Sequence, residues 1–301
     1  MRMVISKILC SCTSENAESD LHTNHQEALL ILLREFDRVC RQLHIPYTLF
    51  SGTMLGAVRH KGFIPWDDDL DVLMLREDYE RFMEQAPSVL DQKIFFLQKE
   101  FSEHWPMFFS KLRLNNTTCL ETYYPKDLLT HQGVYMDIFP CDSARKSEAG
   151  RKIQFWASKV VIAKSLWRRG YLTTDKKKKI FMGLCRVLPR KPFLAIARGG
   201  SKKSEFVHTF FGGASGYSKN VYPREYFVST VLMPFEDGEF FVSSRSHELL
   251  EILYGDYMQL PPPEERRIKQ HAVLVDLENS YETYREYQKE LTFEVLTRSI
   301  R

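Results

Sequence analysis

The chain lacks any apolar run near the ~18 residues needed to span a bilayer; its longest local cluster, Val160–Ala163, is broken by Lys164. The apolar stretch of Met1–Cys12 is interrupted by Ser6 and Lys7, too short and mixed for a signal peptide. Cysteine is scarce: there are six in 301 residues, and only Cys10 and Cys12 lie close, with no second pair at zinc-site spacing. That pattern excludes a disulfide framework and indicates a reducing compartment with structural thiols. A dominant charge is missing too, since 42 Lys+Arg face 39 Asp+Glu for a net of +3. No internal repeat is present, and no low-complexity segment beyond Lys176–Lys179. With 44 % hydrophobic residues the chain is globular, one large domain or two small ones.

What is present is unevenly distributed. Residues 145–203 hold 18 Lys+Arg against two acids, Glu148 and Asp175, a net of +16; the rest of the chain carries −13. Such segregation marks an organisational boundary. The expected divisions are a flexible N-terminus (1–23), a catalytic core (24–144), a basic helical insertion (145–203), the remainder of the catalytic domain (204–277) and a C-terminal helix (278–301).

Helical spacing runs from His25 to His44, with Asn24 and Glu27 placed as a capping box and Pro46 as a stop. Tyr47–Ser51 and Leu70–Leu75 read as strands, and Thr53–His60 and Arg76–Ala86 as helices. Short aromatic-rich strands follow between Ile94 and Pro140, then basic helices over 151–198. Strands recur at Phe227–Met233 and Glu239–Val242, a helix at Ser246–Tyr254, and a charged helix from Tyr281. The order predicts an α/β fold with a mixed sheet.

The chemistry concentrates around Trp66-Asp67-Asp68-Asp69-Leu70-Asp71-Val72, with four carboxylates in five residues. Like charges so close raise one another's pKa unless a cation is present. On an extended strand Asp69 and Asp71 share a face while Leu70 and Val72 point to the core, which makes a Mg²⁺ site. A calcium loop is excluded, because Val72 stands at its glycine position and Leu75 at a ligand position. Asp137, alone in the apolar run Val134–Pro140, is costly unless it binds something, and fits as a third ligand from a neighbouring strand. Ser51-Gly52-Thr53 before a helix can hold a phosphate on backbone N–H groups, and Arg59 and Lys61 follow as further phosphate partners. Lys111 and Arg113 face one way on a strand, either as a surface ion pair or for donor phosphate.

This order of parts resembles the nucleotidyltransferase superfamily. More narrowly, Gly52 to Asp71, Lys111-Leu112-Arg113, Asp137-Ile138-Phe139-Pro140 and Tyr254-Gly255-Asp256-Tyr257-Met258 resemble the LicD family, with Pro261-Pro262, Arg266 and His271 following in the right order. The resemblance covers about His25 to His271, and Thr53 departs from the Gly or Ser usual in the superfamily. LicD proteins are phosphocholine transferases related to the fukutin-type ribitol-phosphate transferases. The resemblance implies a nucleotidyltransferase-like core and transfer of phosphocholine, or a similar phospho-alcohol, from CDP-choline or another CDP-alcohol, with CMP leaving. The acceptor it implies is a hydroxyl of a surface glycan or lipid-linked glycan, such as lipopolysaccharide or a teichoic acid precursor.

The implied ligands of Mg²⁺ (or Mn²⁺) are Asp69, Asp71 and Asp137, with one of these or Asp67 taking the acceptor proton. Trp66, Tyr254, Asp256, Arg266 and His271 are candidate substrate contacts. The rivals are a nucleotidyltransferase that moves a nucleoside monophosphate and releases pyrophosphate, and a non-enzymatic protein binding membrane or nucleic acid through residues 145–203. That segment reads as a solvated face, or as a dock for an anionic membrane or glycan; the sequence holds no nucleic-acid module. The expected location is the cytoplasm, peripheral to the inner membrane surface.

Overall fold

The computed structural model describes residues 15–121, 123, 127–202, 204–212, 216–266 and 272–290, the first seven of these by backbone alone. The N-terminal helix α1 (Glu15–Leu43) begins well before His25, so residues 15–23 are helical rather than loose, and Asn24 lies inside the helix instead of capping it. Apolar periodicity reports only the stretch of a helix that packs on the core; Glu15–Thr23 holds no Pro or Gly, so nothing in it stops the helix. His22 and Gln26 reach from this helix to the carbonyls of Pro65 (3.1 Å) and Asp67 (2.9 Å), which ties it to the acidic loop.

The chain continues through β1 (Thr48–Leu49), α2 (Ser51–His60), β2 (Asp71–Leu75), α3 (Arg76–Gln85), β3 (Phe95–Gln98), β4 (Ser110–Leu114), β5 (Thr118–Glu121) and β6 (Tyr135–Ser143). The main sheet has the order β1-β2-β6-β4-β3. Only β2 and β6 pair in parallel; their neighbours are antiparallel, so the sheet is mixed. The long strand β6 sits in the middle, and its far end pairs with β7 (Phe206–His208), which pairs with β8 (Val221–Pro223). β5 leaves this sheet to pair with β11 (Ala272–Asp276). A hairpin of β9 (Thr230–Phe235) and β10 (Gly238–Ser243) precedes helix α7 (Ser246–Tyr254). The main core gathers Leu32, Phe36, Leu49, Val72, Met136 and Ile138, all fully buried, between α1 and the sheet.

The basic segment forms three helices, α4 (Glu148–Arg169), α5 (Lys176–Cys185) and α6 (Arg190–Ala197). It is not an appendage. Ala157 and Val161 of α4 and Ala197 of α6 share a second core with Trp105, Phe108, Phe109 and Phe211. The buried Gln154 amide donates to the carbonyls of Ser143 and Ala197, both at 3.2 Å. Arg198, just past α6, forks onto Glu100 at 2.7 and 2.8 Å; Arg76 bridges the same carboxylate to Asp142 on β6. The expected C-terminal helix opens instead with a 3₁₀ turn at Tyr281–Tyr284, and its residues beyond 290 lie outside the described ones.

Two histidines are buried without ionising. Burial brings His25 to about 4 despite the carboxylate of Asp68, and brings His208 to about 4 despite Asp142. Both rings take a proton near 6.5 when unfolded, so their share of stability is complete above 6.5 and falls as the pH drops towards 4. At pH 5 the loss is about 2 kcal/mol for each ring. Ring resonances of His25 and His208, followed in the folded protein from pH 7.5 to 5, measure it; rings that titrate near 6.5 would mean that they are not held neutral.

Candidate active site

The loop and strand that carry the acidic cluster alternate as the sequence predicts: Asp68, Leu70 and Val72 are buried, whereas Asp67, Asp69 and Asp71 are only partly so. Strand β2 starts at Asp71, so Asp69 sits in the extended lead-in. The backbone of Asp71 is pinned on both sides. Its N–H donates to the Thr53 hydroxyl at 2.8 Å, and its carbonyl accepts from the Phe50 N–H at 3.0 Å. The N–H of Asp137 donates to the Leu70 carbonyl at 2.8 Å, so Asp71 and Asp137 stand directly side by side on paired parallel strands.

The turn before α2 is shaped by close approach. Ser51 has φ of 50°, and a Cβ on Gly52 would stand 2.7 Å from Asp67 Oδ2. The Asp67 carboxylate therefore lies against the N-terminal turn of α2, where the helix dipole favours negative charge. Further along, a Cβ on Gly56 would meet the Gly62 carbonyl at 2.4 Å, so only glycine lets the chain fold back under α2 to deliver Asp67.

Beside Asp137, β4 places Lys111 in register. Lys111 is 1 % exposed; its Nζ lies 2.8 Å from Asp137 Oδ1, 3.4 Å from Glu121 Oε1 and 3.1 Å from the centre of the Tyr135 ring. Arg113, fully buried, donates to Gln98 (2.6 Å), the Gly133 carbonyl (2.8 Å) and Glu121 (3.4 Å). Arg169, the last residue of α4, donates to Glu121 Oε2 at 2.9 Å and lies over Trp105. The surface ion pair is thus excluded for Lys111 and Arg113. They belong to a buried set of three cations and two carboxylates, which the basic segment completes.

Electrostatics separates the acids. Burial pushes Asp71 well above the usual carboxylate range, and Asp69, Asp137 and Asp67 push it further. Burial raises Asp137 to about 6 against the pull of Lys111. Burial would raise Glu121 as well, but Lys111, Arg169 and Arg113 hold it well below the ordinary range. Glu121 is therefore a fixed anion that organises the cations, and Asp71 and Asp137 are the groups in need of positive charge.

A cleft of about 540 Å³ opens on Asp71 and Ser51. Phe50, Phe108, Phe139, Phe211 and Tyr254 supply aromatic lining, and α4 supplies Lys159 and Ile162. The Tyr254 hydroxyl lies 2.9 Å from Ser51 Oγ; burial and the nearby Asp71, Asp67 and Asp69 push its phenol up to about 12. It stays protonated at neutral pH.

The other expected site residues are dispersed. Arg59 and Lys61 lie at the far end of α2 from Ser51, about 12–15 Å along the axis. Arg59 donates to the Tyr257 carbonyl at 2.6 Å, and Lys61 caps the helix with φ of 60°. Arg266 donates to the Pro261 carbonyl at 2.6 Å, close enough to Arg59 to lower its pKa, though burial does more. Asp256 is exposed in the turn after α7, and Trp66 packs edge-on to His60 rather than lining the cleft. His271 lies outside the described residues. Glu121, Arg169 and Lys159 were not singled out by spacing. The one hint was the buried-strand pattern of Thr118–Glu121, in which an acid needs cationic partners.

Among the described residues, no three His, Cys, Asp or Glu side chains form a closed metal cage. The donor chemistry nevertheless suits a hard divalent cation: oxygen ligands only, with Asp71 destabilised as an anion by its neighbours. The Thr53 hydroxyl accepts from the Asp71 N–H and so positions that acid. Thr53→Val should cost about 1–3 kcal/mol by orphaning a buried N–H, whereas Thr53→Ser should cost less than about 1. Denaturant titration of the two variants checks this, and equal losses would count against the bond.

Comparison with known proteins gives concordant matches. A family model described as "LicD/FKTN/FKRP, nucleotidyltransferase domain" matches residues 44–167. The lipopolysaccharide cholinephosphotransferase LicD of Haemophilus influenzae is 30 % identical over 262 residues, covering 80 % of this chain and 93 % of that protein. An uncharacterised protein of Rickettsia typhi is 42 % identical over 60 residues, 20 % of this chain and 19 % of its own. A second, from Rickettsia prowazekii, is 45 % identical over 51 residues, 17 % of this chain and 19 % of its own.

Proposed function

The chain belongs to the LicD family, and from that premise we propose that it is a phosphotransferase that moves phosphocholine from CDP-choline to a hydroxyl of a lipopolysaccharide-type glycan, on a nucleotidyltransferase-like core. The acceptor oxygen attacks the phosphorus bonded to choline. The bond from that phosphorus to the bridging oxygen breaks, CMP leaves, and the hydroxyl proton passes to a carboxylate of the acidic cluster.

The observation that carries the reading is the meeting of Asp71 and Asp137 on paired strands, with Asp71 on an aromatic cleft. Phosphoryl-group transfer asks for charge neutralisation and in-line positioning rather than covalent catalysis. Asp69, Asp71 and Asp137 are the residues that would hold Mg²⁺ or Mn²⁺, which supplies Lewis-acid stabilisation of phosphate charge. Lys111 neutralises Asp137 on its inner side. Tyr254, protonated, offers a hydrogen-bond donor at the cleft wall. The aromatic lining that includes Phe50, Phe108 and Phe139 suits a quaternary ammonium, which aromatic rings attract through their quadrupole.

The deciding experiment supplies CDP-choline, a divalent cation and a lipopolysaccharide acceptor, followed by mass spectrometry of the glycan and assay of the released nucleotide. Added phosphocholine with free CMP is the expected result. Pyrophosphate release from a nucleoside triphosphate, with a nucleoside monophosphate on the acceptor, would establish the nucleotidyltransferase rival. A panel of CDP-alcohols in the same assay identifies the transferred group.

A further inference from the structure

Helix α5 is held to the protein by a narrow stripe. Met182 and Cys185 are its only buried residues, packed on Val160, Leu166 and Trp167 of α4 and on Tyr171. The opposite face carries Ile180 and Leu184, each 65 % exposed, and continues into Val187 at 75 %. The spacing of four residues puts Ile180 and Leu184 on one side of the helix, opposite Met182 and Cys185, and Val187 follows in the turn after it. Lys176 and Lys177 flank that face in the first turn. One helix over, Ile153 and Trp156 of α4 are 53 % and 63 % exposed. Trp156 stands one turn before Val160, which packs against the inner side of α5. Around these apolar residues lies the segment with net charge +16.

A water-soluble face gains nothing from leucine, isoleucine and tryptophan displayed outward among lysines. A soluble polyanion satisfies the charges but leaves those side chains wet. An anionic bilayer satisfies both, since apolar side chains enter the acyl boundary while lysines meet headgroup phosphates. Among the described residues no helix is long and apolar enough to cross a membrane, so such contact is peripheral. We propose that the outward face of α5 docks this protein on an anionic lipid surface, with the exposed Trp156 of α4 as a second apolar contact. Helix α4 links that face to the cleft, because it carries the exposed Trp156 and, one and two turns further on, the cleft residues Lys159 and Ile162. Docking would present the cleft to a lipid-anchored acceptor; that consequence alone rests on the function proposed above.

Vesicle co-sedimentation of the full chain tests the proposal, with phosphatidylcholine vesicles compared with vesicles holding 30 mol% (about one lipid in three) phosphatidylglycerol. The wild type should sediment with the anionic vesicles and stay in solution with the neutral ones. Ile180→Glu with Leu184→Glu should cut binding by more than about tenfold. Replacing Lys176–Lys179 by Gln should cut it by more than about a hundredfold, from roughly fivefold per lysine near the surface. These side chains are exposed, and unchanged thermal melts would show that the variants fold. Asp71→Asn should bind vesicles as the wild type does, so failure of docking and failure of the proposed chemistry are separable. The proposal is overturned if the wild type ignores anionic vesicles, if the Glu variant binds as well as wild type, or if only a soluble anionic polysaccharide is bound.

Discussion

Asp71→Asn is expected to lower turnover by at least about a thousandfold while raising stability in the presence of EDTA. The two signs follow from one cause. Asp71 is partly buried as the first residue of β2, next to Asp137 in register and within electrostatic reach of Asp69 and Asp67. Without a cation these acids repel one another, and burial penalises each charge; neutralising one relieves both terms. With substrate phosphates and a divalent cation, the same charge is what the reaction uses. The amide keeps size and shape, so the Thr53 and Phe50 backbone bonds remain. Steady-state kinetics and thermal melts with EDTA supply the two readings. A variant that loses stability would mark Asp71 as structural, and one that keeps full turnover would remove it from the chemistry.

Lys111→Met is expected to destabilise the fold by about 3–5 kcal/mol, the range for breaking a buried pair by removing one partner. Lys111 lies between Asp137 and Glu121, and Tyr135 covers its ammonium. Its loss leaves two carboxylates facing each other with one fewer cation. Arg113 and Arg169 still hold Glu121, so the unpaired charge falls mainly on Asp137. Adding Asp137→Asn to Lys111→Met should recover at least about 1 kcal/mol, because neighbouring sites in one network do not add. Urea unfolding of the two single variants and the double variant closes the cycle. A Lys111→Met protein within 1 kcal/mol (about fivefold in the equilibrium constant) of wild type would sink the account.

The cation set also changes the meaning of the basic segment. Arg169 belongs to it by sequence but to the candidate site by position, and Lys159 and Ile162 line the cleft. Removing residues 145–203 would therefore dismantle one wall of the site rather than trim a surface. Its charge includes the buried Arg169 on Glu121, the half-buried Arg198 on Glu100 and the exposed lysines of α5.

By itself the sequence determined the strand-borne acids, because period-two alternation through Asp69, Leu70, Asp71 and Val72 leaves only one way to bury the apolar pair. Most helices and strands were legible on the same ground, as was the family, through motifs kept in order. The start of α1 was not, since polar helix outside the core leaves no apolar period. Nor was the cationic partner of Asp137. Lys111 and Arg113 were left as either a surface ion pair or phosphate partners, because strand spacing reports which side chains share a face, not what that face meets. Only the tertiary structure placed β6 between β2 and β4, laid the end of α4 over β5 and brought Arg169 to Glu121 from 48 residues away. Contacts across such separations are set by how the sheet is ordered and covered. Local pattern carries no record of that, whereas the energy of a buried charge depends on it almost entirely.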